Sequence, residues 1–305
     1  MITRVLLLHV MKSADHSEAT VTYVKYVDFN GEKLTFNKWG ENIMNQYLKI
    51  QEKIKHNEVT YIRCFSEAFE NEQIIRFRDS KMSDMKFHNS TNVKKTLSED
   101  TLQQIIKEEI ELNHKEGKDF CRITIDELPT EKCLKEYGEK LGIEHYGNYV
   151  YVSMESPKWN TLRGHSIRKI IDDCMVEDLV SLDLIQDGET FESDFCQRRA
   201  RRTGQASLSE IPVDTYICYY DKIPVGSCQL FLYNGIAKIE DFTVSPEYQR
   251  RGIGTTILKY VIDIALSKKA ELIYLSADED DTAKEMYEKL GFEKVSESYA
   301  LVYKL

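Results

Sequence analysis

The stretch Gln249-Arg250-Arg251-Gly252-Ile253-Gly254-Thr255 carries the reading of this chain. It follows an apolar run, Ile239, Phe242 and Val244, and precedes the helical spacing of Ile257, Leu258, Val261, Ile264 and Ala265. A strand, a glycine turn and a helix in that order build an anion site. The N–H groups of the turn and the N-terminal dipole of the helix converge on one point. Gly252 and Gly254 put no side chain between backbone and ligand. The expected occupant is a phosphorylated cofactor. Position 257 is Ile, so the turn is not the G-x-G-x-x-G of dinucleotide binders, and a P-loop's Gly-Lys-Ser/Thr is absent.

What remains is Q-x-x-G-x-G, entered by Ile239-Glu240-Asp241-Phe242-Thr243-Val244-Ser245-Pro246-Glu247-Tyr248. Two more motifs accompany it. Upstream stands Tyr220-Asp221-Lys222-Ile223-Pro224-Val225-Gly226, and downstream Ala283-Lys284-Glu285-Met286-Tyr287-Glu288-Lys289-Leu290-Gly291-Phe292. In this order, over about residues 165–305, they resemble the GCN5-related N-acetyltransferases, the GNAT superfamily. There they correspond to the acetyl-CoA turn, the hairpin before the cofactor strand, and the closing helix that ends on Leu-Gly-Phe. The resemblance implies a mixed-sheet α/β fold, acetyl-CoA as cosubstrate and no metal.

It also implies roles. The strand backbone at Phe242, Thr243 and Val244 would pair with pantetheine, and the Val244 N–H would polarise the thioester carbonyl. Gln249, Arg250, Arg251, Gly252, Ile253, Gly254 and Thr255 would hold the phosphates, with Ala283 flanking the cofactor at the closing helix. The two arginines read equally well as a solvated loop pair. Tyr287 stands at the family's general acid, and its other reading is a packing aromatic. An amine of pKa near 10 arrives protonated, so a base is required. The Glu-Asp-Phe-x-Val run resembles polyamine acetyltransferases, where the Glu works through water, which favours Glu240. Asp241 is the neighbouring candidate, and strand alternation would let only one of the two face the acceptor. A rim carboxylate that only binds a cation is the other reading of Glu240. Histone-type members place the base two residues earlier, where this chain has Lys238.

Length and composition set the frame. The 305 residues suit two domains, and 42% are hydrophobic, enough for a sizeable core. The seven cysteines are scattered and never spaced C-x-x-C, so free cytosolic thiols are expected, with neither a disulfide framework nor zinc. No apolar run is long enough for a membrane span. Met1–Val10 reads as a buried strand rather than a secretory signal, and the expected location is cytoplasmic. A net charge of −10 disfavours nucleic acid and favours cationic substrates such as amines.

Val21–Phe29 reads as a strand closed by a turn at Asn30-Gly31. Phe36, Trp39, Ile43, Tyr47, Ile50 and Ile54 fall at helical spacing, as do Leu102, Ile105, Ile106 and Ile110 behind Ser98 as N-cap. Ser156-Pro157-Lys158-Trp159-Asn160 reads as a linker. Three features look bland. Asp278-Glu279-Asp280-Asp281 would line a helix N-terminus, with Asp280 standing where relatives often carry Asn. Arg198, Arg199, Arg201 and Arg202 suit a solvated face or, more sharply, an acidic group on the substrate. His88 reads as structural.

Residues 135–144 and 284–293 match at seven of ten positions, offset by 149 residues, and each copy precedes an aromatic strand-like tail. Duplication is favoured over coincidence. The first copy has no glycine turn and carries Gly138 where the second has Tyr287. The expected architecture is therefore two GNAT-like halves. Residues 1–155 are degenerate and shape the acceptor site. Residues 163–305 bind acetyl-CoA, and the fragment 160–305 alone should still bind CoA, at least weakly, with loss of amine specificity or most turnover, unless the apolar surface exposed by the cut makes it aggregate. The expected function is acetyl transfer to a primary amine of a small molecule or peptide, by direct attack in a ternary complex. An acyl-CoA-binding module without turnover is one alternative. An aminoacyl transferase of the tandem-GNAT type is another, weakened by the acidic charge.

Overall fold

A computed structural model describes residues 36–158, 162–280 and 283–305, with side chains from Tyr47 onward. The expected strands at Met1–Val10 and Val21–Phe29 and the turn at Asn30-Gly31 lie outside these residues. The chain forms two units, Met1–Ile54 and Lys55–Leu305. The apolar spacing from Phe36 to Ile54 forms helix α1 (Phe36–Arg63), whose C-terminal turns, from Lys55, belong to the second unit.

The second unit continues with β1 (Glu67–Glu70), β2 (Ile74–Arg78), β3 (Ser90–Val93), α2 (Glu99–Lys115), β4 (Phe120–Ile125), α3 (Glu131–Lys135) and β5 (Leu141–Tyr151). Then come β6 (His165–Lys169), α4 (Asp173–Asp187), α5 (Ser193–Ser207), β7 (Val213–Tyr220), β8 (Ile223–Tyr233), β9 (Ile236–Val244), α6 (Ile253–Ser267), β10 (Leu272–Asp278), α7 (Lys284–Lys289) and β11 (Phe292–Lys304). Among the described residues the strands make one eleven-stranded mixed sheet, β1-β2-β3-β4-β11-β5-β10-β9-β8-β7-β6. Local signals behave as expected. Ser98 caps α2 by accepting the Thr101 N–H, and Leu102, Ile105 and Ile106 are buried. Asp221 and Lys222 close the β7–β8 hairpin with φ of 45° and 72°, the left-handed pair that matches the twist of a two-residue turn.

The parallel pairs are β3–β4 and β9–β10. Between them the two repeated tails change places. Strand β5 pairs with β10, β11 pairs with β4, and β5 and β11 pair with each other. Phe292 faces Tyr151, and Leu301 faces Ile143. Applying the 149-residue offset to the first pair predicts the second to within one residue. That residue is absorbed by the register shift between Lys294 and Ser296. The strand after each copy of the decapeptide thus pairs with a strand that precedes the other copy.

The repeated decapeptide itself takes two forms. In the second copy Lys284–Lys289 is helix α7. In the first, α3 stops at Lys135 and Gly138–Lys140 is a 3-10 turn. Gly138 adopts a φ of 58°, outside the right-handed helical region that Tyr287 occupies within α7.

The exchange bears on the fragment 160–305. Without β5, neither β10 nor β11 keeps its common neighbour, and β11 also loses β4. Two open apolar edges favour aggregation over a native-like sheet. The fragment is expected to be insoluble or to melt without a cooperative transition in circular dichroism. A soluble fragment that unfolds cooperatively and binds CoA like the full chain would contradict this.

The two faces of the sheet bury different chemistry. On one, Ile257, Leu258, Val261, Ile262 and Ala265 of α6 pack with Leu230, Ile239, Ile273 and Leu275. Strand alternation turns Lys238 and Tyr274 to the opposite face, where they meet Glu58 and Tyr61 of α1. There Tyr61, Ile62 and Phe65 pack with Phe77, Val213 and Phe231.

Candidate active site

Strands β9 and β10 run parallel from Ile236 and Leu272 to Ile239 and Leu275, and then part. Beyond that point β9 stays with β8, and β10 stays with β5. The gap is a cleft of ≈ 150 Å³. It is walled by Glu240, Asp241 and Phe242 on β9, Ser276, Ala277 and Asp278 on β10, and Tyr287 on α7. At the same place β9 carries a bulge. Ser227 faces Thr243 and Gln229 faces Glu240, so three steps on β9 match two on β8. Asp241 takes up the extra residue with a φ of 45°. This corrects the expectation that Glu240 and Asp241 point to opposite faces. The bulge breaks the alternation, and both line the cleft.

Beyond Ile239 the edge of β9 away from β8 has no strand partner among the described residues. The Ser245 N–H donates to the Val225 carbonyl. Antiparallel alternation then turns the N–H and C=O of Val244 away from β8. The Gln249 side-chain amide donates to that carbonyl at 3.1 Å, tying the turn to the strand. Gly252 is the N-cap of α6, with φ 81° and no side-chain cap. The first turn of α6 carries no acid, so its N–H groups and dipole are available to an anion. Its counterpart α2 has a serine cap and Glu99 and Asp100 in its first turn, a poor phosphate site. Ile253 is buried, so only its backbone can serve a ligand. Thr255 is partly exposed, Arg250 and Arg251 are exposed, and Arg251 lies over the Tyr248 ring. A Cβ on Gly254 would sit 3.0 Å from the Phe242 ring.

Tyr287 is buried at the base of the cleft, with its ring 6.3 Å from Tyr149, 6.5 Å from Phe242 and 6.2 Å from Phe292. Ala283 is the N-cap of the same helix. Glu240 lies on the facing wall. Burial pushes its carboxyl up to about 7, against the pull of the Lys238 ammonium and with help from Asp241 and Glu58.

Sequence reasoning set Lys238 aside, yet it anchors the site. Its side chain is 5% exposed, and its Nζ lies 2.7 Å from both Glu240 Oε2 and Glu58 Oε2. Burial pulls its pKa down, but the two carboxylates outweigh that and keep it charged. The Tyr274 hydroxyl donates to Glu58 Oε1 at 2.8 Å, and Asn57 Nδ2 donates to the Tyr274 oxygen at 3.1 Å. Tyr61 donates to Gln229, whose amide donates to Asp241. The period-two spacing of Lys238 and Glu240 was a legible signal for a shared face. Nothing local pointed to Glu58.

Other candidates lie elsewhere. Each arginine of the α5 cluster has acidic partners: Arg198 with Asp84 and Asp194, Arg199 with Asp183 and Asp187, Arg201 with Glu177, and Arg202 with Asp79. They tie helices and loops together, which removes the case for an acidic substrate group. His88 Nδ1 lies 3.2 Å from Asp79, with its ring stacked on Phe65, as a structural residue would be. Glu279 does not line a helix N-terminus as expected. It accepts from the Tyr149 hydroxyl and pairs with Lys294, joining β10, β5 and β11.

Residues 177–292 match the family model described as Acetyltransferase (GNAT) family. Over 83 residues the chain is 39% identical to the Uncharacterized N-acetyltransferase CgeE of Bacillus subtilis (strain 168), 26% of this chain and 32% of that one. It therefore spans about a third of that relative's length. Two solved structures share the fold over most of the chain. A functionally unknown conserved protein from Staphylococcus epidermidis ATCC 12228 has a TM-score of 0.61 at 18% identity, covering 78% of this chain and 94% of its own. A GCN5-related N-acetyltransferase from Kribbella flavida has a TM-score of 0.60 at 13% identity, covering 82% and 94%.

Proposed function

We propose, for a chain whose C-terminal part is a GNAT acetyltransferase domain, that it moves the acetyl group of acetyl-CoA to a primary amine of a small molecule or peptide. The observation that carries this reading is one cleft at the parting of β9 and β10, with Glu240 and Tyr287 on its walls. Phe242 on its wall lies against Gly254, in the first turn of α6, whose N-terminus has no side-chain cap. We take residues 163–305 as the catalytic copy and 1–155 as the degenerate one.

Acetyl-CoA supplies the activated acyl carbon. The first turn of α6 binds its pyrophosphate through backbone N–H groups, and Arg250 and Arg251 add charge at the rim. The Val244 N–H holds the thioester carbonyl and stabilises the oxyanion as the amine attacks. Glu240 accepts the amine's proton, directly or through one water, and Tyr287 donates a proton to the departing thiolate. The C–N bond forms as the C–S bond breaks, both within one ternary complex. Glu240, Asp241 and Asp278 make the cleft acidic, which suits a cationic acceptor.

Calorimetry is expected to find one CoA site per chain, and a thiol-release assay should find turnover with a subset of primary amines. Two equivalent sites, or binding without turnover across a broad amine panel, would overturn the reading. Gly252→Val should weaken CoA binding roughly tenfold or more. A β-branched residue resists the left-handed backbone that sets the turn. Unchanged affinity in a folded variant would remove the turn from the site.

A further inference from the structure

We propose that Glu58 is a positioning residue for Glu240, acting through Lys238, so that helix α1 sets the basicity of the catalytic carboxylate. The proposal rests on the reading of Glu240 as the base. Its foundation is geometric. A lysine almost fully buried sits midway between two carboxylates, 2.7 Å from each, on the face of the sheet that α1 covers. The Tyr61 ring lies 4.4 Å from its Nζ and limits where the ammonium can go. Tyr274 and Asn57 hold Glu58 from its other side.

This arrangement solves a problem in base catalysis. A carboxylate paired alone with a buried ammonium is strongly stabilised in its charged form and is a weak base. A carboxylate with no cation beside it in the same place would stay protonated at neutral pH. Sharing one ammonium between Glu58 and Glu240 gives an intermediate field. It also occupies Oε2 of Glu240 and leaves Oε1 to take the proton. The other groups around Glu240 leave the cation to these two acids. Asp241 is engaged by Gln229, with Asp183 and Arg199 beyond it. Asp278 and Tyr287 face the cleft. Burial and nearby carboxylates keep the Tyr61 and Tyr274 hydroxyls protonated, and burial does the same for the Cys228 thiol.

Glu58→Gln removes one negative charge and keeps the side chain's shape. The acidic limb of kcat/KM for the amine is then expected to move down by roughly one pH unit, because Lys238 now serves Glu240 alone. The kcat at pH 8 should fall roughly tenfold as the base weakens, with CoA affinity unchanged. Lys238→Met reads the same couple from the other end and should move the limb upward. A merely structural role for Glu58 would change kcat or stability without moving the limb, and that result would overturn the proposal. Should either variant fail to fold, carbon-13 titration of the glutamate carboxyls in the unsubstituted protein decides, with Glu240→Gln giving the assignment. Two interacting steps for Glu58 and Glu240 support the couple, and two independent steps at ordinary carboxylate values refute it. The kinetics of Glu240→Gln separate the two ideas. If that variant keeps the acidic limb, the base reading itself fails. If it loses the limb while Glu58→Gln leaves it in place, only the positioning role fails.

Discussion

Replacing Glu240 by Gln is expected to lower kcat/KM for the amine by roughly 10²–10⁴-fold near neutral pH, the usual span for a general base. Burial raises the Glu240 carboxyl to about 7, so the sign of the pH dependence follows. Below that value the group is protonated and cannot take the amine's proton, so the unsubstituted protein is expected to lose activity as pH falls through it. The variant has no such limb. Its rate should climb toward that of the parent above about pH 9, as the free-base fraction of an amine of pKa near 10 grows. CoA affinity should stay the same, because Glu240 precedes the bulge and the glycine turn follows it. A loss that is uniform in pH and confined to KM would make Glu240 a cation-binding group only.

Tyr287→Phe should cost roughly 10²–10⁴-fold in kcat while CoA affinity and melting temperature change little. The ring packs among Tyr149, Phe242 and Phe292, and phenylalanine fills the same space. Loss of the hydroxyl forces the thiolate to leave unprotonated. With leaving groups that need no acid the defect should shrink, so an activated thioester serves as the control. An unchanged kcat with acetyl-CoA and a good amine would return Tyr287 to a packing role.

The first copy of the repeat sharpens this assignment. Helix and strand signals are duplicated, yet α3 stops at Lys135 and Gly138 opens a 3-10 turn where Tyr287 lies within α7. The same copy opens α2 with a serine cap and two acids instead of a bare glycine turn. Both departures fall at positions that the proposed reading uses in the second copy. Strand β5 lies beside β10, and Glu58 beside Lys238.

Elements whose cause is local could be read directly. The turn 249–255, the hairpin at Asp221-Lys222, the cap at Ser98 and the helix that carries Tyr287 each follow from dihedral preferences and hydrogen bonds within a few residues. Three features waited for the three-dimensional arrangement. The bulge brings Asp241 into the cleft, and a one-residue phase shift cannot be located in a strand this short and mixed in polarity. The exchange of β5 and β11 depends on which edge each tail meets, and both edges accept the same alternating pattern. The Glu58–Lys238–Glu240 group joins residues up to 182 positions apart. A charge on a helix surface looks solvated in sequence. Only packing α1 against the sheet removes the water and makes that charge part of the site.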